Sequence, residues 1–464
     1  MNSADTVNEQ PSWVAELIHL AERRSVDLIL PSTPSYHTAR LIYNRMHDLY
    51  PAALVRTSQT SSVAEIVKFA ADRGISLAVR GGGHHIAGYG SCRGGLVLDF
   101  SPFRAVTVDR VSGIAEVEPG ARLADIDNAL CPLKLVIPTG TVSETGVAGL
   151  TLGGGIGWLL GRYGLTCDQL IGADVVLADG RLIKAECPEH SELLWALRGG
   201  GGNFGVVTRF RYRTNFLPSC IVGSCILPLK NAASTLERLV VYLDNSCPRQ
   251  LTVAATLTRD HTNRPTLSID FCLSNSDEIT LNELLKAIGH AQRFIQKNAH
   301  FPSWQRAFDH VFQPPMRGYW KAKYGRRLTR IEIDAIVLAF ESAPAIQASI
   351  LIEHLHGAFA DTDSRTSSFP LRWARFGILF SARWKHALDD RQAIAWVQDS
   401  LALLDPSSTS ATYSNYAFDD DARALGSFPA QLAERLREVK TAYDPYNLFR
   451  RNHNIHEGSV TSTS

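Results

Sequence analysis

The chain has 464 residues, 45% hydrophobic and 20% charged, with a formal net charge of +1. That length suits two or three domains or one large two-lobed unit with sizeable cores. The charge balance excludes nucleic acid or an acidic membrane surface as an evident partner, and no run of 18 apolar residues marks a membrane span.

Near the N-terminus no basic stretch leads into a clean apolar core, so no secretory signal is expected and the chain reads as cytoplasmic. Eight cysteines lie between Cys92 and Cys272 without a CxxC or regular spacing. They read as mostly free, buried thiols of a reducing compartment, and no metal site is expected.

Residues 1–36 read as a helical lead-in, with Val14, Leu17, Ile18 and Ala21 at helical spacing. From Leu54 the pattern is α/β: a helix over Val63–Ala71 ending near Gly74, then a strand over Ile75–Val79. The loop Arg80-Gly81-Gly82-Gly83-His84-His85, with Gly88 beyond it, follows that strand. Three glycines in a row let successive backbone N–H groups turn inward, an anion cradle suited to a pyrophosphate. Arg80 adds positive charge, and His84 is held against the reactive ring of whatever the loop binds. Taken alone, a triple glycine in a protein of this size is usually just a turn.

Short strands follow at Leu96–Phe100, Ala105–Val108 and Ile114–Val117, then a helix at Leu123–Leu130. A second glycine-rich stretch runs from Gly146 through Gly149, Gly153 and Gly154 to Gly157. It is not a GxGxxG after a strand, and no GxxxxGK[ST] occurs, so neither a Rossmann nor a P-loop site fits. Asp174–Ala178 and Arg181–Lys184 flank Asp179-Gly180 as a hairpin. A third cluster, Gly199–Gly202, runs into the apolar Val206-Val207. Three such clusters exceed what ordinary turns require.

The pattern shifts near Asn215–Pro218. Helices are expected at Ala232–Leu243 and Leu281–Phe294, and strands at Leu251–Thr256, Leu267–Cys272 and Ala374–Phe380. These describe an α+β unit with a largely antiparallel sheet. An amphipathic helix, Ala430–Tyr443, stops at Asp444-Pro445, and the Ser/Thr-rich Gly458–Ser464 is expected to be a disordered tail.

In combination these motifs resemble the berberine-bridge-enzyme-like branch of the vanillyl-alcohol-oxidase (PCMH-type) flavoproteins. The resemblance rests on Arg80–His84, Thr145–Leu150, Gly153–Gly157, Tyr163-Gly164-Leu165 with Asp168, and Leu194–Thr208. At the C-terminal end it rests on Tyr413–Tyr416 and Tyr443–Ile455. It implies an α+β fold of two lobes: an FAD-binding domain at 37–215 and a substrate domain at 216–420 with a large antiparallel sheet flanked by helices. A segment at 421–464 would return to the FAD domain. FAD would be held by Arg80, Gly81, Gly82, Gly83, His84, His85, Gly88, Thr139, Gly140, Thr145, Gly146, Gly149, Gly153, Gly154, Gly157, Val207, Asn452 and Asn454. His84 would bond covalently to the flavin, with His85 as competitor; the alternative is a His84 that only hydrogen-bonds the ring. Many relatives add a cysteinyl link near the position of Val142, where this chain has none, so a single histidyl link is expected.

The resemblance favours Tyr416 as the catalytic base, with Tyr413 second. On an extended strand residues three apart face opposite ways, so one would face the flavin and the other pack; both as packing residues is the plainer reading. A tyrosine would need activation, for which Arg372 or Lys321 is a candidate cation. Tyr319, Trp320 and Trp373 would line an aromatic pocket or fill the core. The implied activity is FAD-dependent oxidation of a small molecule of specialised metabolism, with hydride transfer to the flavin and reoxidation by O₂ to H₂O₂. A redox-neutral cyclase or isomerase and an oxygen-excluding dehydrogenase remain alternatives, and oligomeric state is unreadable.

Overall fold

The computed structural model describes residues 11–186, 188–404, 412–418 and 428–455; the expected tail at Gly458–Ser464 lies outside them. Two lobes face each other across a cavity.

Among the described residues the first lobe carries two larger sheets, besides a two-stranded ladder of Leu135–Val136 with Asn215–Phe216. One has four strands in the spatial order Asp27–Ile29, Ala53–Arg56, Leu96–Asp99, Leu77–Arg80. Leu96–Asp99 pairs in parallel with a neighbour on each side and is fully buried, as its apolar composition requires. The helix Thr60–Asp72 covers this sheet by burying Val63, Ile66, Val67 and Ala70, one face at helical spacing. The lead-in differs from expectation. Among its described residues the helix spans Trp13–Arg24, and Asp27–Ile29 then joins the sheet antiparallel to Ala53–Arg56. Leu17 and Leu20 pack with Val55 and Val63, so this segment belongs to the lobe's own core.

The second sheet of the first lobe is antiparallel, in the order Val106–Asp109, Ile114–Val117, Val206–Arg213, Leu170–Val176, Leu182–Ala185. Its last two strands are the expected hairpin, turning at Gly180 with φ +84°. The C-terminal helix Ala430–Tyr443 returns to this lobe, where Leu436 and Val439 join the same core as Trp195 and Phe210.

The second lobe is one seven-stranded antiparallel sheet. Its order is Gln292–Ala299, Cys220–Pro228, Pro265–Leu273, Leu251–Arg259, Gln347–His354, Phe376–Trp384, Arg317–Gly325. Alternation along the strands separates its faces. Leu257, Ile269, Ile350 and Ile352 pack under the helices Ala232–Ser246, Glu278–Ile288, Arg330–Glu341 and Asp390–Ala402. Thr256, Ser268, Asp270, Ser349, Leu351 and Glu353 line the cavity. The helix expected over Leu281–Phe294 stops at Ile288, because Gly289 takes φ +86° and the chain reverses into the edge strand Gln292–Ala299.

The lobes are tied by polar pairs between distant segments. Asn44 Nδ2 donates to the Gly318 carbonyl at 2.9 Å while its Oδ1 accepts from the Gly318 amide at 3.0 Å. Arg372 grips Asp168 in a bidentate pair at 2.5 and 3.0 Å, with both side chains buried.

Candidate active site

Between the lobes lies a cavity of about 1350 Å³, whereas a drug-sized ligand takes a pocket of roughly 300–1,000 Å³. It has room for an extended cofactor and a further small molecule. All three glycine clusters open onto it, which accounts for their number.

The close approach of two of these loops fixes their residue types. A Cβ on Gly82 would lie 2.4 Å from the Gly146 amide nitrogen, and one on Gly146 2.3 Å from that of Gly82. The loops therefore meet backbone to backbone. Elsewhere the glycines leave room: a Cβ on Gly149 or Gly202 would meet no protein atom within 4 Å.

FAD fits this cradle on three observations. Among the described residues, none accepts a hydrogen bond from the amides of Gly81, Gly82 or Gly83, so these donors are available to a diphosphate. Asn452 Oδ1, in the cavity wall, is buried without a partner. A register shift between Val207 and Arg209 interrupts the ladder beside Val207, another wall residue.

Of the sequence-proposed cofactor residues, Arg80, Gly81, Gly82, Gly83, His84, His85, Gly140, Thr145, Gly146, Gly149, Gly153, Gly157, Val207 and Asn452 line the cavity. Gly88, Thr139, Gly154 and Asn454 do not. Gly88 is a turn residue packed on His47, and Gly154 backs onto Phe369. Thr139 accepts from Gln305 Nε2 at 2.9 Å and serves a contact between the lobes. Asn454 stands behind the wall, with its Oδ1 buried and unpartnered.

The two adjacent histidines differ in their bonds. His85 Nδ1 accepts from the Ala87 amide at 3.1 Å, and Nε2 lies 3.1 Å from the Ser414 carbonyl. Both nitrogens of a neutral, Nε2-protonated ring are thus committed. Burial and then the neighbouring His453 hold its pKa down at about 3. His84 stacks on Tyr43 at 4.6 Å and 16°. Burial, then the Arg122 charge, lowers it to about 4, with a backbone hydrogen bond at Glu144 opposing. His84 is therefore a neutral imidazole at the cavity wall.

The tyrosines depart from the strand expectation. Ser414–Tyr416 is one 3₁₀ turn, and with three residues per turn positions i and i+3 share a face. The rings of Tyr413 and Tyr416 meet edge to face at 4.9 Å, and both line the cavity. Their hydroxyls differ. Tyr413 Oη accepts from the Gly155 amide at 2.9 Å and from Asn415 Nδ2 at 2.8 Å, clamping the turn to the second glycine stretch. Tyr416 Oη donates to Glu353 Oε1 at 3.3 Å.

Glu353 is the residue that sequence reasoning missed. It lies in the strand Gln347–His354, a lone carboxylate after Ile350-Leu351-Ile352, and that burial of a charge was the available signal. Burial pushes its pKa up to about 7, opposed by the Tyr416 hydrogen bond, and its Oε2 has no partner among the described residues. Burial, then the Glu353 charge, drives the Tyr416 hydroxyl well above its ordinary value. The cations expected to activate a tyrosine do not reach it. Arg372 is committed to Asp168, and Lys321 lies over the Tyr319 ring at 5.6 Å. Of the aromatic candidates, Trp320 lines the cavity, whereas Tyr319 and Trp373 do not.

Fold and cavity together define a two-lobed FAD-dependent oxidoreductase. Residues 51–186 match the FAD binding domain family, and 412–456 match the berberine and berberine-like family. In both segments and over most of its length the chain is similar to berberine-bridge-enzyme-like FAD-linked oxidoreductases. It is 28% identical to an uncharacterized FAD-linked oxidoreductase, YgaK, of Bacillus subtilis, over 91% of this chain and 95% of that one. It is 26% identical to the (R)-6-hydroxynicotine oxidase of Paenarthrobacter nicotinovorans, over 93% and 97%. In fold it is similar to a glucooligosaccharide oxidase from Acremonium strictum, described with a 6-S-cysteinyl, 8α-N1-histidyl FAD. That likeness has a TM-score of 0.84 at 23% identity, covering 95% of this chain and 98% of the other. Among the described residues no helix is long and apolar enough to cross a membrane.

Proposed function

We propose that the protein oxidises an alcohol or amine of specialised metabolism, with Tyr416 taking the substrate proton and Glu353 taking the proton of Tyr416. In this reading the first lobe with the C-terminal segment binds the cofactor, and the second lobe's sheet forms the substrate wall. FAD held there would supply the two-electron chemistry, uptake of a substrate hydride and return of the electrons to O₂ as H₂O₂.

The Tyr416–Glu353 pair carries the proposal. A hydroxyl with a strongly raised pKa does not ionise alone at neutral pH. It can pass a proton along when its partner is a carboxylate whose own pKa lies near the working pH. As the substrate O–H or N–H bond breaks, its proton goes to Tyr416 Oη and the Tyr416 proton goes to Glu353 Oε1. Tyr413, with two donors on its oxygen, orients the turn.

For the cofactor we propose one covalent bond, to His84. The histidyl half of the attachment described for the glucooligosaccharide oxidase has a counterpart here in the first histidine after the glycines, whereas His85 has both nitrogens committed. None of the described cysteines lines the cavity, which supports a single link.

Two measurements test the reading. Denatured wild-type protein should run as a fluorescent flavin band; His84→Ala should lose it and His85→Ala keep it. With a turned-over substrate, anaerobic mixing should bleach the flavin and air should return one H₂O₂ per product. Product without bleaching would make the protein a redox-neutral cyclase or isomerase, and bleaching without peroxide a dehydrogenase.

A further inference from the structure

On its cavity face the second lobe's sheet carries a second buried carboxylate besides Glu353, that of Asp270. The two lie in one row across the strands. Ala254 pairs with Asp270 on one side and with Glu353 on the other, and Ser224 pairs with Asp270 beyond. Two strand spacings therefore separate the carboxylates, about 10 Å. The residue between them is Ala254, half-buried and no larger than a methyl, so no long side chain of that row rises between the two.

Glu353 takes part in the chemistry proposed above; Asp270 does not. Asp270 is 6% exposed, and its hydrogen bond comes from a neutral group. Ser268 Oγ donates to Asp270 Oδ2 at 3.0 Å, and Ser224 Oγ stands 3.3 Å from Ser268 Oγ. Since the one Ser268 proton goes to Asp270, Ser224 donates to Ser268, and the chain of hydroxyls ends on the carboxylate. Among the described residues no cation pairs with Asp270. The strand arginines that line the cavity are engaged elsewhere: Arg259 donates to the Asn263 and Ala343 carbonyls, and Arg383 to those of Val311, Phe312 and Pro314. Burial accordingly raises the Asp270 pKa, opposed by the Ser224 and Ser268 hydroxyls. A carboxylate so placed is an uncompensated charge until a cation reaches it from the cavity.

We propose that Asp270 is a subsite for a protonated amine, carried by the substrate about 10 Å from the bond on which Tyr416 and Glu353 act, a spacing that rests on that pair being the reacting end. The chemistry favours an ammonium over a neutral polyol. Further hydroxyls would add hydrogen bonds and leave the charge in place, whereas an ammonium offers three N–H donors and the missing countercharge. No bond forms or breaks at Asp270; it holds one end of the substrate while the other is oxidised. The substrate class is an amino alcohol or a diamine whose two polar ends stand that far apart.

The probes are 8-amino-1-octanol, whose ends span about 10 Å, and its uncharged counterpart 1,8-octanediol. Each is titrated into FAD-loaded full-length protein while the flavin absorbance is followed. Wild type should bind the amino alcohol at least about tenfold more tightly than the diol, as expected for hydrogen bonds to a charged group. Asp270→Asn should cut that preference below about threefold and leave the affinity for the diol within about twofold of wild type. The preference should be smaller in wild type for 4-amino-1-butanol over 1,4-butanediol, which are too short to reach both carboxylates. Equal affinities in wild type, a preference that survives Asp270→Asn, or one as large at four carbons as at eight would overturn the assignment. Glu353→Gln separates the subsite from the proton transfer. It should keep the ammonium preference; wild-type peroxide output from that variant would remove the proton-transfer reading and leave the subsite standing. If Asp270→Asn fails to fold, the chain-length comparison in wild type decides.

Discussion

At the scale of single residues, the proposed chemistry turns on a carboxylate kept out of water. Glu353 gives up stability for its position. Its pKa rises from 4.5 to about 7, so between those values the folded protein holds a proton that the unfolded chain has released. This contribution is intact below pH 4.5 and declines as pH rises to about 7, by up to about 3 kcal/mol. Glu353→Gln should therefore melt higher than wild type at pH 8 and match it near pH 4.5. Activity runs the other way. Wild-type kcat should climb with pH through about 7 as Glu353 becomes able to accept a proton. Glu353→Gln should lose that inflexion and about 10²–10⁴-fold in kcat, the usual worth of a positioned acid or base. Tyr416→Phe should lose as much, while Tyr413→Phe should keep the pH profile. Equal losses in both tyrosine variants would remove the distinction between proton acceptor and clamp.

At the scale of elements, two local arrangements set the site. The 3₁₀ turn at Ser414–Tyr416 brings two tyrosines to one face that a strand would have separated. The contact of Gly82 with Gly146 fixes how two cofactor loops sit against each other. A methyl at either position cannot be absorbed by a side chain, since backbone stands on both sides. Gly82→Ala should cost about 1–3 kcal/mol, the usual price of overpacking, and should be isolated with a lower flavin content than Gly149→Ala, whose methyl meets no protein atom within 4 Å.

At the scale of the whole molecule, the cavity exists because two lobes are held face to face. The buried bidentate pair of Arg372 with Asp168 joins them. Removing one partner of such a pair leaves an uncompensated charge, at about 3–5 kcal/mol. Asp168→Asn should lower the thermal midpoint by several degrees, and Asp168→Asn with Arg372→Met should recover part of that loss. A double variant no better than the single would assign the cost to packing alone.

What the chain spelled out locally was legible from its letters. Consecutive glycines, helical spacing at Val63–Ala71 and alternation in Leu251–Thr256 are short-range patterns that backbone geometry reads directly. They pointed to the α+β fold, the antiparallel sheet and the glycine loops that line the cavity. Glu353 beside Tyr416, Asp168 beside Arg372, and Cys247 beside two histidines are separated by 63, 204 and about 107 residues. No periodicity connects such pairs. Only tertiary packing, between the lobes for Asp168 and Arg372 and within the second lobe for the others, brought them together, and burial there changed what those groups can do with a proton.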